Sequence, residues 1–199
     1  MEDFNAETYT LPNNYQSVEN ITALERGMSS NYTQAAVLSE ALASLYKEGD
    51  LRLDAYFKAA DKNGYRFSQK SGKDDFRCSF RVGEMYLNSA EAAAQSDKLP
   101  QARTRLLELM QKRYTPEAYT VKATAVNAMT KEALIQEILD ERARELAFEG
   151  HRWFDLRRTT RPRIEKVLKG GTYVLEQDDS RYTIQIPREA IAANPELSN

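Results

Sequence analysis

Carboxylates and guanidinium groups crowd the segment from Glu137 to Arg158, EILDERARELAFEGHRWFDLRR, and they pose the first chemical question. Glu145, Glu149 and Asp155 are close enough in sequence to suggest the paired acids of a glycosidase, one protonating the leaving oxygen and the other acting as base or nucleophile. On a helix they share a face with Arg142 and Arg152, which favours ion pairing over proton transfer. The expectation is a buried structural ionic cluster of Arg81, Arg142, Glu145, Glu149, Arg152 and Asp155. In it Glu149 or Glu145 pairs with Arg81 or Arg142 and pins the turn after Glu149 to a helix over residues 80–95. His151 is the only histidine. Any Ser/His/Asp or Cys/His site would have to use it, and no Ser or Cys sits in a nucleophile-elbow context, so no catalytic residue is assigned. Cys78 stands alone, and neither HExxH nor Glu-x-x-His occurs, so neither metal nor cofactor is expected.

Binding without catalysis needs different residues. A sugar ring is held by aromatic faces, with amide and charged side chains on its hydroxyls. Tyr9, Asn13, Asn14, Tyr15, Asn31 and Tyr32 concentrate those types near the start of the chain and are the candidate ligand residues. Trp153 could stack too, but it is in phase with Leu146 and Leu156 if the helix continues, which makes it a core aromatic. Arg157, Arg158, Arg161 and Arg163 form a basic run with no interleaved aromatic platform for nucleic acid. A net charge of -2 gives no general attraction to nucleic acid or anionic lipid. No run of about eighteen apolar residues is present to span a membrane.

Most of the elements that must position these residues read as helices. Residues 1–34 lack periodicity and are loop-rich, residues 35–158 are helical, and residues 159–199 hold a hairpin and an irregular tail, all within a single domain or part of one. A helix over Thr33 to Lys47 stops at Gly49. LRLDAYF at 51–57 suits a short helix or strand, and YRFSQ an extended piece. Helices over Phe80 to Gln95 and Gln101 to Arg113, joined by SDKL, make an αα-hairpin with Ala90, Ala93, Ala94 and Ala102 where they approach, as in one tetratricopeptide-type unit. Tyr114 to Met129 reads as loop. Thr130 caps the helix that carries Glu145. GTYVL and RYTIQI, separated by EQDDS, alternate every second residue and suggest a two-stranded hairpin. The fold class is therefore mainly α, tetratricopeptide-like helix pairs with loops and a small C-terminal β-hairpin.

Four pieces in order, LYKEGDLRLDAYF, FRVGEMYLNSAEAAA, ELAFEGHRWFDLRR and IQIPREAIAANPELSN, resemble the C-terminal half of the SusD/RagB family of outer-membrane nutrient-binding lipoproteins. The pairing of Glu-Gly-x-Arg-Trp-x-Asp-Leu with a terminal Ile-Pro-x-x-x-Ile-x-x-Asn-Pro is specific to it. The resemblance implies non-catalytic capture of oligosaccharides, or in some branches peptides, at the outer cell surface by a protein that sits as a lid over a TonB-dependent, SusC-like transporter. Attachment to the membrane would be only through a lipid anchor on an N-terminal part not present here, making this a truncated chain or an unusually short member. A cytosolic helical-repeat scaffold that binds a partner protein is the reading from a different class.

Overall fold

The computed structural model describes residues 1–12, 14, 16–27, 36–70 and 75–197, and only the backbone of residues 23–27, 75–79 and 168. The chain divides into two compact units, Met1–Gly150 and His151–Asn199.

The first unit opens with β1, Asn20–Gly27, followed by the short helices α1, Glu40–Ala43, and α2, Arg52–Tyr56. Strand β2, Asp75–Arg81, runs antiparallel to β1, from Asn20 opposite Arg81 to Gly27 opposite Asp75, and leads directly into α3, Val82–Gln95. Then come α4, Leu99–Met110, α5, Pro116–Ala128, and α6, Lys131–Glu145. Helices α3 and α4 pack as the expected hairpin, with Ala90, Ala94 and Ala102 fully buried beside Leu87 and Leu106. Small side chains let the helix backbones come close, and α6 supplies Leu134 and Ile138 to the same core. The inward face of α3 is set by Gly83, Leu87 and Ala90 rather than by Met85, which is 39% exposed. A second apolar cluster gathers Phe4, Tyr46, Ala55, Tyr56, Phe57 and Ala147.

Three expectations in this unit are corrected. The Thr33–Lys47 helix shortens, within the described residues, to Glu40–Ala43, because Ser39 caps it late and the chain before it pairs instead, Val37 bridging Phe67. Residues 116–128, read as loop, form α5. Thr115 caps it by accepting from the Ala118 amide, Pro116 fills its first turn and Glu117 follows, while Val126 is its one buried residue, so its apolar periodicity is faint. Residues 20–27, read as loop, form a strand whose partner lies far along the chain and leaves no local trace.

In the second unit α7 spans Arg152–Arg158, and β3, Ile164–Leu168, pairs antiparallel with β4, Gly171–Leu175. The hairpin is real but shifted. Lys169 and Gly170 form its two-residue turn, with Gly170 at φ +112°, a backbone that favours glycine. RYTIQI is not its second strand; Ser180–Tyr182 is a 3₁₀ turn. The helix α8, Arg188–Ala193, and a 3₁₀ turn at Pro195–Leu197 complete the unit. The molecule is mainly helical with a small β-hairpin, as the sequence predicts. No helix among the described residues is long and apolar enough to cross a membrane.

Candidate functional site

The polar centre of the first unit is built around α6. Thr130 caps that helix, its hydroxyl accepting from the Ala133 amide, and Leu134 and Ile138 face the apolar core. One turn apart on the helix, Glu141 and Glu145 are both fully buried. Charges taken out of water persist only when paired and hydrogen-bonded. Three fully buried arginines, Arg52 from α2, Arg81 from the end of β2 and Arg113 after α4, converge on Glu145 at 3.1, 2.6 and 3.0 Å. Arg52 also pairs with Asp50 at 2.8 Å and Glu141 at 2.7 Å, and Arg144 with Glu141 at 2.7 Å. Glu19, ahead of β1, bridges Arg113 and Arg81. Glu149 accepts from Nε and Nη2 of Arg81, each at 2.8 Å, and pairs with Lys70.

This network lies between the two apolar clusters. The Arg52 guanidinium stands 5.2 Å from the ring of Tyr114, which belongs to the first cluster. Arg113 stands over Phe4 at 4.5 Å and Lys70 over Tyr56 at 4.0 Å, both rings of the second. Backbone carbonyls complete the valences: Arg81 donates to that of Glu145, Arg113 to that of Glu2, and Lys70 to those of Glu145 and Ala147.

The electrostatics follow from the burial. Desolvation works to raise the Glu145 carboxyl, but Arg113, Arg81 and Arg52 outweigh it and hold the group well below the ordinary range. Glu141 feels the same opposition, and Arg52 and Arg144 bring it down to about 2. Glu149 is lowered against its burial by Arg81 and Lys70. Burial pulls the Lys70 ammonium down to about 8, with Glu149 opposing.

Of the six residues expected to form an ionic cluster, the structure brings together Arg81, Glu145 and Glu149. Arg142 turns to Asn88, donating to its Oδ1 at 2.6 Å. Arg152 and Asp155 lie on α7 in the second unit, where Asp155 pairs with Arg158 at 2.7 Å and Arg152 is exposed. Their shared phase with Glu145 is lost because α6 stops at Glu145 and the chain then passes through left-handed backbone at Phe148, φ +62°, and Gly150, φ +86°. For the same reason Trp153 departs from its expected core position: it is 38% exposed and stacks on Tyr182, rings 5.2 Å apart and 7° from parallel. Tyr182, expected in hairpin pairing, is fully buried and donates its hydroxyl to the Pro162 carbonyl.

Arg52, Arg113, Lys70, Glu19 and Glu141 were missed by sequence reasoning. One signal was available: Glu137, Glu141, Glu145 and Glu149 recur every fourth residue, an acidic stripe on one helix face. All four carry buried arginine partners, Glu137 through Arg144, and Glu137 pairs with Lys122 as well.

Among the candidate ligand residues, Tyr9 is 40% exposed and stacks on Phe4, ring centres 4.5 Å apart. Asn14 is half-buried and occupied locally, its Oδ1 accepting from the Gln16 amide and its carbonyl from Asn20 Nδ2. Asn13, Tyr15, Asn31 and Tyr32 lie outside the described residues. A groove of about 730 Å³ opens beside α5, with an apolar wall of Ala118, Val121 and Ala125, and Tyr114, Lys47 and Lys122 also on its lining. Among the described residues no group of three His, Cys, Asp or Glu side chains is placed to hold a metal ion.

A helix-hairpin unit joined to a β-ribbon and braced by a buried arginine–glutamate network, followed by a small unit of helix and hairpin, defines the class of protein. The SusD family model matches residues 8–199, and the chain belongs to that family. In fold it is similar to a SusD superfamily protein from Bacteroides fragilis, with a TM-score of 0.67 at 20% identity, the match covering 96% of this chain and 49% of that one. A SusD-like carbohydrate binding protein from Bacteroides vulgatus matches with a TM-score of 0.56 at 17% identity, over 96% of this chain and 52% of that one. The chain thus spans about half the length of these solved structures. No curated protein matches it in sequence.

Proposed function

We propose that the chain is a non-catalytic, glycan-binding part of an outer-surface uptake system, one that captures oligosaccharides for import through a TonB-dependent, SusC-like transporter and is held to the membrane by a lipid anchor. Membership of the SusD family over residues 8–199 is the observation that carries this reading. The fold likeness to a SusD-like carbohydrate binding protein agrees with it. The carboxylates support the non-catalytic half. A general acid must hold its proton near neutral pH and reach the substrate. Glu141 and Glu145 are fully buried and shifted the opposite way, so they stay ionised and out of reach.

The test is retention of the chain on insoluble polysaccharides, with the soluble phase assayed for released sugars. Retention without products is expected, and hydrolytic release would overturn the non-enzyme claim. A peptide ligand is the second reading, favoured by the apolar groove beside α5, whose wall suits aliphatic side chains better than sugar hydroxyls. Retention of components from a peptide mixture, with none on polysaccharides, would select it.

A further inference from the structure

We infer that Trp153, backed by Tyr182 and flanked by Arg152, forms a stacking subsite for a pyranose ring in the C-terminal unit. The inference rests on the glycan-binding reading and assigns it a place.

The tryptophan is held from behind. Tyr182 covers one face of the indole in a near-parallel stack, so the exposed part of the ring belongs to its other face and edges. Tyr182 is itself fixed, fully buried and bonded through its hydroxyl to the Pro162 carbonyl. The 3₁₀ turn that delivers it is braced by Asp179, which accepts from the Arg181 amide at 2.8 Å and from the Arg181 guanidinium, and Arg181 also reaches the Val174 carbonyl at 3.0 Å. An aromatic face presented this rigidly loses little freedom when a ligand settles on it. The axial C–H groups of a pyranose are the complement to such a face, whereas its hydroxyls need donors at the rim.

Arg152 supplies such a donor. It precedes Trp153 on α7, is exposed, and has no hydrogen-bond or ion-pair partner among the described residues. Its neighbours differ: Arg158 is paired with Asp155, Arg163 with Glu165, and Arg181 with Asp179. A guanidinium with all its N–H groups available matches vicinal hydroxyls or a uronate carboxylate. Phe154, 62% exposed, extends the apolar surface on the other side of Trp153 in sequence.

Trp153 is the only tryptophan, so intrinsic emission reports on this ring alone. The experiment titrates the whole chain with soluble oligosaccharides cut from any polysaccharide that retains it. The expected result is a shift in tryptophan emission with reduced acrylamide quenching, about three- to tenfold weaker binding in Trp153→Ala, and near-normal binding in Trp153→Phe. Arg152→Ala should weaken binding without changing the emission of the free protein. If the polysaccharide retains the chain but emission stays constant and Trp153→Phe and Trp153→Ala bind as tightly as wild type, the subsite is refuted and the glycan-binding reading stands. If no polysaccharide retains the wild-type chain, that reading falls and the subsite falls with it. The emission titration uses unaltered protein, so misfolding of an alanine variant cannot decide the matter.

Discussion

Arg81 and Glu145 meet at 2.6 Å with neither side chain exposed to solvent, and that contact joins the end of a β-strand to the last turn of a helix 64 residues later. Glu145 is also shared by Arg52 and Arg113, so one carboxylate neutralises parts of three segments. Removing it leaves three guanidinium groups in a dry interior. Glu145→Gln should therefore cost about 3–5 kcal/mol, the range for breaking a buried pair from one side. Glu149 retains 13% exposure, and Glu149→Gln should cost less, about 1–3 kcal/mol. Chemical denaturation of both variants tests the order; equal effects would show that Glu145 is not the centre of the network.

Gly83 guards the same contact. A Cβ built there would lie 2.8 Å from Arg81 Nη1 and 2.9 Å from Glu145 Oε1. Alanine in a helix is ordinarily favoured over glycine by roughly 1 kcal/mol. The atoms it would displace are side-chain ends, which elsewhere could swing aside, but here they are locked by their partners. Gly83→Ala should be destabilising by about 1–3 kcal/mol in spite of helix propensity. A rise in melting temperature would mean the network yields easily.

Acid should unfold the protein partly through Glu141. The group ionises near 4.5 in the unfolded chain and at about 2 in the fold. Its contribution is therefore fully present above pH 4.5 and is lost as pH falls toward 2, because the unfolded state takes up the proton first. Melting temperature followed by circular dichroism between pH 6 and pH 2 should fall steeply. Glu141→Gln should be less stable at neutral pH and show a shallower fall over that window. Parallel curves would assign the acid sensitivity elsewhere.

Sequence legibility divides along one physical line. Elements fixed by local interactions were readable: the α3/α4 hairpin from its alanines, the α6 start from Thr130, and the family from the Glu-Gly-x-Arg-Trp-x-Asp-Leu run. Features fixed by distant partners were not. β1 and β2 pair across some fifty residues, and Arg52 and Lys70 meet α6 residues 89 and 75 positions away. Glu145 and Glu149 could be identified as ion-paired because they share a helix face with arginines, yet that face could not say which arginines would come. The extrapolation of one helix phase through Gly150 misplaced Arg152, Trp153 and Asp155 together, since left-handed backbone at Phe148 and Gly150 resets the direction of every side chain beyond.

Lys70 offers a test at the opposite end of the pH scale. Its ammonium is fully desolvated, touching the Tyr56 ring, two carbonyls and Glu149, with the Arg81 charge nearby and the carboxylate of Glu145 opposing it. Burial brings it from 10.5 in the unfolded chain down to about 8 in the fold. Between those values the unfolded state binds the extra proton, so this group makes stability rise with pH across that window, the same sign as Glu141 but at alkaline pH. Tyrosines also titrate toward the upper end, which makes the difference between wild type and Lys70→Met the quantity to measure. Relative to Lys70→Met, wild type should gain stability from pH 8 to pH 10 in urea denaturation. A constant difference over that range would show that Glu149 holds the ammonium charged throughout.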